Sequence, residues 1–95
     1  MAKPATLRAI VRARQGSDCC YCGREMGVPR ALREKAQPLD ETLEHLRRKS
    51  EGGTDDLDNL ALACNECNVG RGHMDWLTYK SFRMGEFYEF LEAAR

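Results

Sequence analysis

The chain has no apolar run approaching the roughly 20 residues needed to span a bilayer, so a transmembrane helix is not expected. Its basic first fifteen residues hold no continuous apolar stretch, which excludes a secretory signal of the ordinary kind there. It has no net charge, since 15 Lys and Arg balance 15 Asp and Glu, so overall charge does not single out nucleic acid as a partner. It has no internal repeat and no low-complexity segment, which excludes a solenoid or a linker. Its five cysteines are an odd count, and without an export signal their spacing favours metal over disulfides.

What is present fits one small domain of 95 residues, near the size where a core alone gives little margin and a metal staple helps. Two Cys-x-x-Cys pairs, Cys19/Cys22 and Cys64/Cys67, suit a structural zinc site of four cysteines. The competing reading of Cys19-Cys20-Tyr21-Cys22 is a redox dithiol, which needs a βαβ context that the flanks do not suggest. Cys20 is left over as a free thiol. Charge is unevenly spread. Residues 1–35 carry eight basic and three acidic side chains, residues 36–63 three and seven, and residues 64–95 four and five. The basic third would face phosphates or would simply be solvated helix surface.

The pattern predicts a small α+β fold. Leu7, Ile10 and Val11 at i, i+3, i+4 place a helix over 5–15. Gly23 suits a metal knuckle after Cys22, and Pro29 opens a short basic helix over 29–36. Strands are expected over 42–46 and 60–63. The polar loop between them, 47–59, turns at Gly52-Gly53, and its run Asp55-Asp56-Leu57-Asp58 is expected to stay out of the core. A short helix from Cys64 to Arg71 completes a ββα unit. C-terminal helices follow over 75–94, with Asp75 as N-cap, a break at Gly85 and an apolar core stripe of Phe87, Phe90, Leu91 and Ala94.

Glu44-His45, Gly52-Gly53, Asn59-Leu60, Cys64-x-x-Cys67-Asn68 and Arg71-Gly72, in this order, resemble an HNH endonuclease of the zinc-containing ββα-metal (His-Me finger) type. The resemblance covers residues 19–72, and the His-to-Asn-to-Asn intervals of 14 and 9 residues fit together with the cysteine frame. It implies a single HNH nuclease domain over 1–95 that hydrolyses DNA by nicking or double-strand cleavage, leaving 5′-phosphate and 3′-hydroxyl ends. By the same resemblance His45 is the general base, and Asn59 ties down the loop that orients it. Glu44 and Asn68 are then the ligands of a catalytic Mg2+ or Mn2+ separate from the zinc. Their hard oxygen donors suit such ions, as a histidine near neutral pKa suits activation of water. Adjacent strand residues face opposite ways, so His45 is expected near a strand end.

The sequence departs from the family pattern in places. The acidic position, commonly Asp, is Glu44, about 1.5 Å longer by one carbon–carbon bond. Arg48 stands where a proline is frequent, and Arg71 where a lysine is usual. His73 lies one residue beyond the spacing of a late family histidine and is either an extra ligand or a surface residue. Arg47, Arg48, Lys49 and Arg71 are the basic residues expected to grip DNA, with Arg24, Arg30, Arg33 and Lys35 farther off. Phosphate contacts of this kind position a duplex without reading sequence. The small size resembles phage-borne members that assist genome packaging, which makes a phage terminase an expected protein partner and the cytoplasm of a bacterial or infected cell the expected location. The alternative is a non-catalytic zinc module that binds nucleic acid or protein.

Overall fold

In the structure, a computed structural model, the described residues are 3–93 for the backbone and 3–85 for side chains. Helix α1 spans Pro4–Gln15, with proline in its first turn, where its missing N–H costs nothing. It buries Leu7 and Val11 and leaves Ile10 partly exposed. Gly16, at φ 89°, ends it and donates its N–H to the Arg12 carbonyl. This turn sends the chain into the first cysteine pair.

Strands β1 (Glu41–His45) and β2 (Leu60–Cys64) pair antiparallel, with Glu41 opposite Cys64 and His45 opposite Leu60. β2 is buried along its whole length. Cover on both faces explains why its sequence, Leu-Ala-Leu-Ala-Cys, is apolar throughout rather than alternating. Its outer edge is also closed. Gln15 donates to the Leu62 carbonyl at 2.8 Å and accepts from the Leu62 N–H at 2.8 Å, and the Cys20 N–H donates to the same carbonyl at 3.0 Å. A two-stranded sheet is weak alone, and here a helix and a loop replace the missing neighbour strand.

Helix α2 (Asn65–Arg71) follows β2 without a spacer. Cys64 is its N-cap, its sulfur accepting the Cys67 N–H. Gly72, at φ 53°, stops it. Helix α3 spans Trp76–Ala93, and Asp75 caps it by accepting the N–H groups of Leu77 and Thr78. α3 is one helix, not two: Gly85 lies inside it. A lone glycine costs a helix only about 1 kcal/mol relative to alanine, and a helix of 18 residues absorbs that. The expected stripe of Phe87, Phe90, Leu91 and Ala94 lies outside the described side chains.

The expected helix over 29–36 is a single 3-10 turn, Arg30–Leu32. The chain then bends so that the buried Asp40 receives the Arg33 Nε–H and the Gln37 N–H, while the Pro38 and Asp40 carbonyls accept the first free N–H groups of α2. The segment thus caps another helix instead of extending its own. Tyr21 and Tyr79 meet edge to face in the core, centroids 5.1 Å apart. Among the described residues no helix is long and apolar enough to cross a membrane.

Candidate active site

The sulfurs of Cys19, Cys22, Cys64 and Cys67 all lie within 4.8 Å of one another. A tetrahedral zinc with Zn–S bonds of about 2.3 Å sets its sulfurs about 3.8 Å apart, and Cys22 and Cys64 are separated by 3.9 Å. The four thiols therefore fit a closed zinc site. Gly23, at φ 76°, shapes the first knuckle and donates its N–H to the Cys19 carbonyl. The N–H groups of Tyr21 and Cys64 donate to the Cys19 sulfur. Arg24 bridges the Cys22 sulfur and Glu66 at the exposed rim of the cluster. Cys20 stands beside the cluster with its thiol outside the set of four.

The end of β1 faces two ways. Glu44, 7 % exposed, points toward α2. Its carboxylate accepts the Tyr21 hydroxyl at 3.2 Å and lies 3.3 Å from Arg71 Nη1. Burial pushes this carboxyl above its ordinary value, while the Arg71 charge and the Tyr21 hydroxyl pull the other way. Arg71 does not reach the surface where DNA contact was expected, being only 4 % exposed. Its guanidinium donates to the carbonyls of His45, Leu46 and Met74 and to the Tyr21 hydroxyl. A planar fork of five donors suits this set, and a lysine ammonium would not span it.

His45 is the last residue of β1 and turns to the loop side. Its Nε2 lies 2.7 Å from Asp55 Oδ1, and its side chain is 23 % exposed. The acidic run is thus not uniformly solvated: Asp55 is turned to His45, and this hydrogen bond, with help from Lys49, holds its carboxyl below the usual range. No sequence motif pointed to Asp55, because the pairing depends on how the loop folds back.

Asn59 governs that fold. Its Oδ1 accepts the Arg47 N–H at 2.8 Å, and its Nδ2 donates to the carbonyls of Arg47 at 3.0 Å and Thr54 at 2.8 Å. Gly52 adopts φ 88°, and Gly53 packs so tightly that a Cβ there would sit 1.8 Å from the Arg47 carbonyl oxygen. The two glycines serve different needs, torsion at the first and space at the second.

Asn68 lies on α2 across from β1 and donates its Nδ2–H to Thr42 Oγ1 at 2.9 Å. Its carbonyl oxygen has no hydrogen-bond partner among the described residues, and Thr42 shares a face of β1 with Glu44, two residues on. A carboxylate and an amide oxygen together fit a hard divalent ion. Arg48 Nη1 lies 2.7 Å from His73 Nδ1 on the exposed side, and Arg47 and Lys49 are exposed on the same loop. Arg33 is engaged with Asp40.

Taken together, these elements define a small α+β domain in which a four-cysteine centre fixes two strands and a helix, with a histidine at the strand end. A family model for HNH endonuclease matches residues 19–73, more than half of the chain. The chain belongs to the HNH endonuclease family. No curated protein matches it closely enough to count as a relative.

Proposed function

We propose that the protein is a metal-dependent endonuclease that hydrolyses phosphodiester bonds in DNA. The observation that carries this is the placement, within an HNH domain, of an accessible His45 at the end of β1, next to Glu44 and across from Asn68 on α2. Glu44 and Asn68 would hold Mg2+ or Mn2+, which when bound supplies Lewis acidity at the phosphate. His45 takes a proton from water. The water oxygen bonds to phosphorus as the P–O3′ bond breaks, and the departing oxygen takes its proton from solvent. The products are a 5′-phosphate and a 3′-hydroxyl. Arg47, Arg48 and Lys49 border the site and would grip backbone phosphates without reading bases. A protein partner such as a phage terminase would then place the enzyme on its substrate. The test is relaxation of supercoiled plasmid by zinc-loaded protein with Mg2+ or Mn2+. The nicking is expected to stop with chelator and in His45→Ala, and a fully active His45→Ala protein would remove the assigned base.

One observation favours a second reading, a non-catalytic zinc module: Glu44 is buried and already neutralised by Arg71. Manganese titration of the zinc-loaded protein separates the two. A second site that Glu44→Gln abolishes supports the enzyme, and its absence supports the module.

A further inference from the structure

We infer that Asp55 is a positioning residue for His45. It fixes the ring in the tautomer that carries its proton on Nε2, so that Nδ1 is the atom that accepts a proton. The inference rests on the reading of His45 as the general base.

The geometry begins with the 2.7 Å contact between Nε2 and Asp55 Oδ1. An ionised carboxylate only accepts hydrogen bonds, so the hydrogen in this contact belongs to Nε2. A neutral ring that donates from Nε2 has its lone pair on Nδ1. Among the described residues Nδ1 has no hydrogen-bond partner, and the side chain is partly open to solvent. When water gives its proton to Nδ1 and its oxygen bonds to phosphorus, the ring becomes a cation. The Asp55 carboxylate then faces that cation through an unchanged hydrogen bond.

This contact is set from outside the pair. Asn59 holds the Arg47 peptide groups, two residues beyond His45, and the Thr54 carbonyl, one residue before Asp55. One side chain therefore fixes the histidine and the aspartate relative to each other. The Gly53 N–H donates to the Arg48 carbonyl at 2.8 Å and closes the same ring of backbone. Lys49 Nζ, 3.4 Å from Asp55 Oδ1, favours the ionised carboxylate that the arrangement needs. The middle asparagine of the motif thus acts on His45 partly through Asp55.

The experiment uses the zinc-loaded full chain and reads the ring directly. Long-range 15N–1H correlation spectra, recorded where the imidazole is neutral, report which ring nitrogen carries hydrogen. With two histidines in the chain, a His73→Asn variant assigns the signals. The expected pattern is a protonated Nε2 and a bare Nδ1 at His45, with the preference lost in Asp55→Asn. In plasmid cleavage, Asp55→Asn is expected to lower kcat on the order of 10²-fold, the scale of general-base contributions, with KM nearly unchanged. A wild-type ring protonated on Nδ1, or an Asp55→Asn protein that keeps wild-type kcat, overturns the inference. If wild-type protein cuts no DNA, the nuclease reading falls, while the ring spectra still decide whether Asp55 sets the tautomer.

Discussion

The cysteine frame and the loop over residues 46–59 solve opposite problems a few residues apart. In the frame, polar groups are buried and each is answered within the chain: thiols gather, Arg71 meets carbonyls and a carboxylate, and Tyr21 donates to Glu44. In the loop, polar side chains stay at the surface, and a single asparagine organises the backbone. The frame resists change because any lost partner leaves a buried charge or dipole. The loop can be altered with little energetic penalty, yet through Asp55 it holds the ring of His45. Stability and activity should therefore separate by region, and variants can break that separation or sharpen it.

The largest effect should come from the thiols. Structural zinc supplies on the order of 10 kcal/mol to small zinc domains, as much as the whole net stability a small domain keeps. Chelation, or Cys67→Ala, should abolish the cooperative melt and the dispersed NMR spectrum. A metal-free protein that still melts cooperatively would show that the tyrosines and β2 suffice, and the frame would lose its special standing.

Arg71→Met should come next, at about 3–5 kcal/mol, because it leaves Glu44 buried without its counter-charge. Arg71→Met combined with Glu44→Gln should recover part of that loss, since the stranded charge is gone. Urea midpoints of the wild type, both single variants and the double variant give the coupling directly. If Arg71→Met costs less than about 1 kcal/mol, the scale of an exposed ion pair, while abolishing DNA binding, the arginine belongs to the loop's side of the comparison.

The two regions were not equally legible in the sequence. The cysteine spacing announced the cluster because metal ligands must recur at fixed intervals, and the apolar run at 60–63 announced β2. Asp75 as a cap was readable from its position before a helical segment. Arg71 reads as a DNA contact in the sequence because charge alone says nothing about burial, and its carbonyl partners are backbone groups that no sequence displays. Asp55 was hidden for a related reason. It is one of three aspartates within four residues, and only the folded loop distinguishes the one that meets His45. Gly85 reads as a break because local propensity carries no information about the rest of the helix that surrounds it.

Within the loop, Gly53→Ala should cost about 1–3 kcal/mol, as overpacking does. The new Cβ would collide with the Arg47 carbonyl, which is backbone and cannot swing away. Melting should fall by less than in Arg71→Met, while cleavage should fall sharply. A Gly53→Ala protein with intact cleavage would show that the loop tolerates a shift of the Arg47 peptide.

The smallest effect on stability should be at Asn59. Asn59→Ala removes three hydrogen bonds at a partly exposed site, and a net loss of about 1 kcal/mol is expected, because water replaces most of what is lost. The activity loss should nevertheless be large, since both ends of the His45–Asp55 contact drift. Asn59→Asp refines the point. It keeps an acceptor for the Arg47 N–H but has no donor for the Arg47 and Thr54 carbonyls, so the His45 side stays tied while the Asp55 side is released. If the loop acts through Asp55, Asn59→Asp should lose nearly as much kcat as Asn59→Ala at nearly wild-type melting temperature. If it acts only by holding Arg47, Asn59→Asp should retain most of the activity.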